Sequence, residues 1–402
     1  MQNKGFIILL FALTCCKTNQ STGQSRKPNV FVLDANILER NKTRIANNDP
    51  EVLAAYKQLI KDADNKALKF GPVTVMEKKA TPPSGDKHDY MSLAPYFWPD
   101  PSKSDGLPYI RKDGQTNPEV KDYSDKENMP KLCEYVHLLG LAYYFSEDNT
   151  YAEHASKLLR VWFLDSGTKM NPNLNYGQAI KGVNEGRGAG LIDTRHWIKL
   201  IDGIGLIRNS KSWKQADQKG MQQWFAEFLN WMQTSKIGTD ELKAKNNHGA
   251  WYDAQRLSIA LFIDSLELAK KIIANAANRL DYQVDEQGFF PAEMERTISL
   301  HYTCFVMDAF MLIAHMSEKT RFDFWNLTTP SGKSLKKCFE VLKPYLVDNK
   351  EWKGEQIKEF DHEEGYDILM NASEHYKCKD CAGEVKRLAD EKAPRLRTNL
   401  IY

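Results

Sequence analysis

The feature that most restricts how this chain can fold is a ladder of amphipathic segments, each about 14–20 residues long. Apolar residues recur at helical spacing over 50–70, 129–147, 190–208, 213–235, 248–263, 265–280, 299–317, 332–347 and 363–376. In 129–147 the residues Leu132, Tyr135, Val136 and Leu139 share a face. After an Asn149 cap, Tyr151, Ala155, Leu158, Leu159 and Trp162 do the same. Short Gly, Asn, Asp and Pro loops separate the segments, which predicts stacked antiparallel helical hairpins. No fixed sequence period accompanies them, so a solenoid is not expected. An all-α fold fits, its hairpins closed or partly closed into an α/α toroid with helix ends and loops forming a groove. Strand signals are few, the best being residues 30–34 (VFVLD) and 71–76 (GPVTVM).

Two stretches depart from this pattern. Residues 71–125 are rich in Pro, Gly, Asp and Lys and include KHDYMSLAPYFWPDPSKSDGLPYI. An irregular stretch of that length in a compact domain is usually functional, and it predicts a lid-like loop over the groove. At the N-terminus, Lys4 precedes an apolar run from Phe6 to Leu13, far short of the roughly 20 residues of a spanning helix. The run ends in Leu13-Thr14-Cys15-Cys16, similar to a bacterial lipoprotein cleavage box. The expected organisation is a lipoprotein signal peptide over 1–16 with Cys16 lipidated, a tether and N-terminal extension over 17–49, and a single catalytic domain over 50–402. The expected location is the periplasm, lipid-anchored to the outer membrane, with the membrane touched only through the anchor.

Composition narrows the partners. Lysine and arginine number 55 against 53 acidic residues, a net charge of +2, so no global field points to nucleic acid. Positive charge for an acidic polymer must be local. Nine Trp, seventeen Tyr and eighteen Phe serve equally as core or as sugar-stacking rings. Beyond the leader, Cys378-Lys-Asp-Cys381 is the one close cysteine pair, and no second CxxC or HxxxH accompanies it. No metal and no cofactor are therefore expected; a local disulfide or two thiols suits the pair. A monomer is expected.

Three stretches could carry chemistry. KNNHGAWYDAQR opens a helix with Asn246, Asn247 and His248, followed by Trp251, Tyr252 and Arg256. Either asparagine could simply cap the helix. FFPAEMERTISLHYT supplies Glu293, Arg296, His301 and Tyr302, and NYGQAIKGVNEGRGAGLIDTRH supplies Gln178, Asn184 and Arg187 among glycines. The glycines allow close backbone approach to a ligand, but the Gly-Lys-Ser/Thr ending of a phosphate loop is missing. Together these residues suit β-elimination from a uronic-acid polymer. The C5 proton is barely acidic beside a carboxylate anion, so amide and guanidinium donors such as Asn247 and Arg296 must disperse that charge. A base then removes the proton and an acid protonates the departing O4. Histidine is a natural base, and tyrosine serves both roles if neighbouring cations lower its pKa from about 10.

The segments NNHGAW, GRGAGLIDT, EMERTISLHY and DYMSLAPYFWPDP, in this order of chemistry and spread over about 85–320, resemble the alginate lyase family of helical-toroid polysaccharide lyases. The resemblance implies an incomplete (α/α)5–7 toroid, an acidic polysaccharide partner and an Asn-His, Arg and Tyr active centre, here Asn247, His248, Arg296 and Tyr302. It also implies substrate contacts from Gln178, Asn184, Arg187, Trp251, Tyr252, Glu293 and His301. Lys87, His88, Tyr90, Tyr96 and Trp98 of the early loop would roof the groove. Five residues separate Arg296 from Tyr302, one fewer than is typical of the family, which keeps glucuronan open beside alginate as the substrate. Glycoside hydrolysis would need two carboxylates across the bond, for which Glu185, Glu293 and Glu295 are available in no assignable motif. A lipid-anchored glycan-binding protein is the non-catalytic alternative. In Asp361-His362-Glu363-Glu364 the acidic run suits a solvated helix start better than a metal site.

Overall fold

The computed structural model describes residues 27–348 and 350–402. The sequence ladder becomes α1 (Ala35–Ala46), α2 (Pro50–Asp62), α3 (Ser124–Ser146), α4 (Asn149–Leu159), α5 (Trp197–Ile207), α6 (Gln215–Thr234), α7 (Lys236–Leu242) and α8 (Asn247–Phe262). It continues through α9 (Leu266–Gln283), α10 (Pro291–Met294), α11 (Ser299–Glu318), α12 (Leu335–Val347), α13 (Tyr366–His375), α14 (Cys381–Ala389) and α15 (Thr398–Ile401). Short polar side chains start many of them: Asp34, Asp49, Asp148, Asn246 and Ser334 each accept a backbone N–H of the first turn. Asp148 is therefore the cap of α4, and Asn149, expected in that role, is its first helical residue.

Packing sorts the helices into two layers. α2, α3, α5, α8, α11 and α13 each pack on the next, and α15 joins α13 back to α1 and α2, completing a ring. α4, α9, α12 and α14 lie outside as the hairpin partners of α3, α8, α11 and α13, and α6 also backs α8. The inner position of α8 shows in its burial: every residue but His248 is buried. Across the α3–α5 seam Gly140 faces Gly203, and a methyl on either would press on the other helix's backbone at 3.0–3.2 Å. Outside that seam, Phe163, Trp197, Trp224, Phe225 and Phe228 form a thick aromatic cluster, with Trp197 and Phe228 centroids 4.6 Å apart. The ends of the ring meet where Asn41 Nδ2 donates to Leu400 O at 3.0 Å.

Neither expected strand forms. The backbone N–H groups of Phe31, Val32 and Leu33 donate instead to the Asp202 carboxylate on α5, at 2.7, 3.0 and 2.7 Å. That side chain satisfies donors a sheet would have used. Val30, Phe31 and Leu33 are core residues, so the packed body includes residues before the expected boundary at 50. Residues 71–74 form no regular element and lead into a 3-10 turn, Val75–Glu77, capped by Thr74. The strands present are short: β1 (Met91–Leu93), β2 (Phe97–Trp98), β3 (Ile110–Arg111) and β4 (Tyr176–Ala179). β1 runs parallel to β4, with Met91 opposite Tyr176, and β2 is antiparallel to β3.

The ring encloses two cavities. One, of about 770 Å³, is lined by early residues of α8 and α11 together with Tyr96, Phe97 and Arg111 from the irregular 71–125 stretch. The other, of about 560 Å³, is lined by residues one to four turns further along α3, α8 and α11, and Asp308 borders both. Cys378 and Cys381 form a disulfide, and Cys133, Cys304 and Cys338 are buried free thiols. Among the described residues no helix is long and apolar enough to cross a membrane. The expected signal peptide and Cys16 lie outside the described residues.

Candidate active site

The larger cavity gathers the start of α8, the loop before α11, and α11's first turn. Asn246 supplies the cap, its Oδ1 accepting His248 N–H at 3.2 Å, which frees Asn247 for another role. Gly249 follows because a methyl there would overlap the Ala244 carbonyl and the Arg279 guanidinium. Asn247 is held by Glu293: its backbone N–H donates to Oε1 at 2.5 Å and its Nδ2 to Oε2 at 2.8 Å. A carboxylate oxygen only accepts, so the amide end that meets Oε2 is the nitrogen. Burial raises the Glu293 pKa, and the Asn247 donors offset part of that rise. Asn247 Oδ1 is buried with no hydrogen-bond partner.

His248 is oriented by Glu241 of α7, whose Oε1 lies 2.7 Å from Nδ1. A carboxylate only accepts, so Nδ1 carries a proton and Nε2 is the ring nitrogen left to face the cavity. Tyr302, on the first turn of α11, donates to the Tyr96 hydroxyl at 3.0 Å. The Arg296 guanidinium carbon stands 3.6 Å from the Tyr302 ring centroid. Burial pushes the Tyr302 phenol well above its ordinary value, Tyr96 adds to the rise, and Arg296 opposes it without prevailing. The Arg296 cation thus acts in the expected lowering direction, but burial outweighs it and the net shift is upward. Arg296 is itself committed to Asp113, Nε to Oδ2 at 3.0 Å and Nη2 to Oδ1 at 2.8 Å. Burial alone would raise Asp113, but Arg296 outweighs it and holds the carboxyl far below the usual range.

The opposite wall is cationic. Gln178, at φ +50° in the left-handed region, donates through Nε2 to Asp193 Oδ1 at 3.0 Å and accepts Arg187 Nη2 at 2.9 Å. Lys126 pairs with the same aspartate. Arg187 and Arg195 both line the cavity and, among the described residues, neither has a carboxylate within ion-pair distance. His301 Nδ1 meets Glu364 Oε2 at 2.5 Å on the cavity's edge. The cavity therefore offers an oriented imidazole, a buried phenol, a fixed amide and two unpaired guanidinium groups: the parts needed to bind a polyanion and move a proton.

The sequence profile of the alginate lyase family matches residues 74–352. A crystal structure of an alginate lyase from Bacteroides ovatus is 42% identical, superposes with a TM-score of 0.88, and the match covers 93% of this chain and 99% of that one. The chain belongs to the alginate lyase family. It is accordingly a polysaccharide lyase with a helical toroid fold. Alginate lyase A1-III from Sphingomonas species A1 shares the fold at 16% identity, with a TM-score of 0.54 over 88% of this chain and 96% of that one. A histidine-to-alanine variant of A1-III, complexed with tetrasaccharide, aligns at 15% identity, also with a TM-score of 0.54 over 88% and 96%. No curated protein sequence matches.

Of the residues expected in the site of this family member, Asn247, His248, Arg296, Tyr302, Gln178, Arg187 and His301 line one cavity, with Tyr96 beside Tyr302. The rest lie elsewhere. Glu293 is 1% exposed and acts behind Asn247 rather than on the cavity wall. Tyr90 is fully buried, its hydroxyl on Asp193. Tyr252 spends its hydroxyl on Met232 O at 2.7 Å inside the core, and Trp251 packs on Phe305 and borders the smaller cavity. Lys87 donates to Lys78 O and His88 Nδ1 to Lys169 O, both fastening the early loop down. Trp98 donates to Gln115 O beneath Lys112. Asn184 closes a turn through a bridge to Ile180. Sequence reasoning missed Glu241, Asp113, Glu364, Lys126 and Arg195. For Glu241 a signal existed: an acidic residue on the short helix that runs straight into His248.

Proposed function

We propose that this lyase cleaves a uronic-acid polymer of the alginate type, at mannuronate or guluronate linkages, by β-elimination. The reading is carried by one observation: Asn247, His248, Arg296 and Tyr302, from separate segments, converge on a cavity walled by unpaired cations. Arg296 and the second Nδ2 hydrogen of Asn247, the one not given to Glu293, disperse the charge of the substrate carboxylate, with Arg187, which has no carboxylate partner, adding to it. A base takes the C5 proton, the released electron pair becomes the C4–C5 double bond, and O4 departs with a proton from Tyr302. In guluronate the C5 proton and O4 lie on opposite faces of the ring, so His248 Nε2 is the base and the neutral Tyr302 the acid. In mannuronate they share a face, so Tyr302 does both, after giving up its own proton first. The five-residue spacing between Arg296 and Tyr302 keeps glucuronan, which has the mannuronate stereochemistry at these carbons, in the substrate panel. Tyr302→Phe should abolish formation of the ultraviolet-absorbing unsaturated uronide on alginate and glucuronan alike while leaving oligosaccharide binding measurable by calorimetry. An active Tyr302→Phe enzyme would remove the mechanism.

We also propose that Cys16 carries a lipid anchor that holds the enzyme at the periplasmic face of the outer membrane. The apolar run and cysteine pair of the leader support it. A Cys15→Ser, Cys16→Ser double variant should leave the membrane fraction; continued pelleting with membranes overturns the anchor.

A further inference from the structure

At the end of the ring lumen away from the catalytic cavity, three ligand-bearing side chains meet. His315 and Glu318 lie three residues apart near the end of α11, and His375 ends α13. One potential ligand atom from each lies within 4.8 Å of the others, and His375 Nδ1 is 3.8 Å from Glu318 Oε1. Donors on a tetrahedral zinc, bound at about 2.0–2.1 Å, sit roughly 3.3 Å from one another, a gap that small side-chain rotations close. We infer that His315, Glu318 and His375 form a site for a divalent transition-metal ion, with Zn2+ as its natural occupant, tying the ends of two neighbouring hairpins together.

The surroundings hold His315 and Glu318 through outer hydrogen bonds, as metal sites require, and His375 through ring stacking. His315 Nε2 lies 2.5 Å from Asn371 Oδ1; the amide oxygen accepts, so Nε2 is protonated and Nδ1 holds the lone pair. The Trp325 indole N–H donates to Glu318 Oε1 at 2.8 Å, which orients the carboxylate and leaves this oxygen a second lone pair toward His375 Nδ1, 3.8 Å away. The same indole lies flat on His375, with centroids 3.9 Å apart and planes 8° from parallel, which fixes the imidazole's plane. His375 faces Glu318 with Nδ1, its ligand atom, while Nε2 is buried with no hydrogen-bond partner. Asp34, Asp323 and Glu374 add negative charge near the group, against the cations of Lys319 and Arg40. Glu318 is solvent-accessible and His315 borders the smaller cavity, so an ion has a way in. Thiolates do not compete, since the adjacent cysteine pair is a disulfide and the free thiols are buried. Three protein ligands leave one tetrahedral position for water. The expectation of no metal rested on ligands close in sequence; here the second histidine comes from another hairpin.

The test is calorimetric titration of the chelator-stripped enzyme with ZnCl2, paralleled by the visible spectrum of the Co2+ form. The site predicts one equivalent bound and tetrahedral Co2+ bands without thiolate charge transfer. Glu318→Gln keeps an oxygen for the Trp325 N–H but removes the anionic ligand, and His375→Ala removes an imidazole. Both should weaken Zn2+ beyond the roughly 10–100-fold that loss of an outer-shell partner costs, and Asn371→Ala should fall within that range. Unfolding temperature should rise with Zn2+ in the wild type and stay unmoved in the ligand variants. Absence of saturable uptake by the wild type overturns the inference. So does stoichiometric uptake that Glu318→Gln and His375→Ala both retain.

Discussion

Replacing Glu293 by glutamine is the most discriminating perturbation, because Asn247 is the one residue of the proposed chemistry that the Glu293 carboxylate hydrogen-bonds. Both carboxylate oxygens are occupied by Asn247 donors, at 2.5 and 2.8 Å, in a site 1% exposed. Glutamine keeps one acceptor and turns the other into a donor facing a donor. The Asn247 amide must then rotate or flip, and the group that meets the substrate carboxylate loses the orientation Glu293 imposed. Losing one preorganised donor costs about 2.7–4 kcal/mol of transition-state stabilisation, a fall of about 10²–10³ in turnover. The stability change is smaller, bounded by about 1.5–3 kcal/mol for a charge-assisted bond, because glutamine also removes a buried carboxylate. Initial rates from ultraviolet absorbance give kcat and KM, and chemical denaturation gives the stability. The expected result is a large loss in kcat with KM little changed. A Glu293→Gln enzyme with near-normal turnover would show that the Asn247 amide does no charge dispersal.

Three further outcomes follow from the site and the fold. His248→Ala should impair guluronate linkages more severely than mannuronate ones, with Glu241→Gln showing the same bias more weakly; equal losses would assign His248 to carboxylate binding. Because burial raises Tyr302, its phenolate is scarce at neutral pH, so turnover on mannuronate linkages should climb about tenfold per pH unit on the alkaline side, whereas guluronate cleavage, which uses the phenol, should level off and then fall. Identical pH–rate profiles on the two polymers would refute that division. Asp202→Asn should destabilise the fold by about 1–3 kcal/mol, since its amide confronts the N–H groups of residues 31–33. Burial raises Asp202 to about 6 despite those donors, so the stability it contributes should be lost as pH rises between about 4 and 6, and the difference between wild type and variant should carry that slope; denaturant titrations of both across this range decide it.

The helices were legible because each needs only its own periodicity and a cap. Positions 248–263 and 299–317 anticipate α8 and α11 within a residue or so. What a segment does with its backbone donors was not legible: VFVLD reads as a strand, yet its N–H groups find a carboxylate 169–171 residues away. The reacting residues were legible as local motifs, whereas their partners were not. Asp113 reaches Arg296 across 183 residues, and Glu364 reaches His301 across 63. Rings were the least informative signal, because Tyr90 and Tyr252 bury hydroxyls on internal acceptors as readily as an exposed tyrosine would meet a sugar.

The glycine contact between α3 and α5 leaves no room for even a methyl group between the two helices. Alanine at Gly203 would thrust its methyl against the α3 backbone near His137, and the two helices would separate by a few tenths of an ångström. Lys126, Arg195 and Asp193 ride on or beside those helices, so the cationic wall would shift with them. The girth of polymer that the groove admits is therefore set in part by two residues that never touch it.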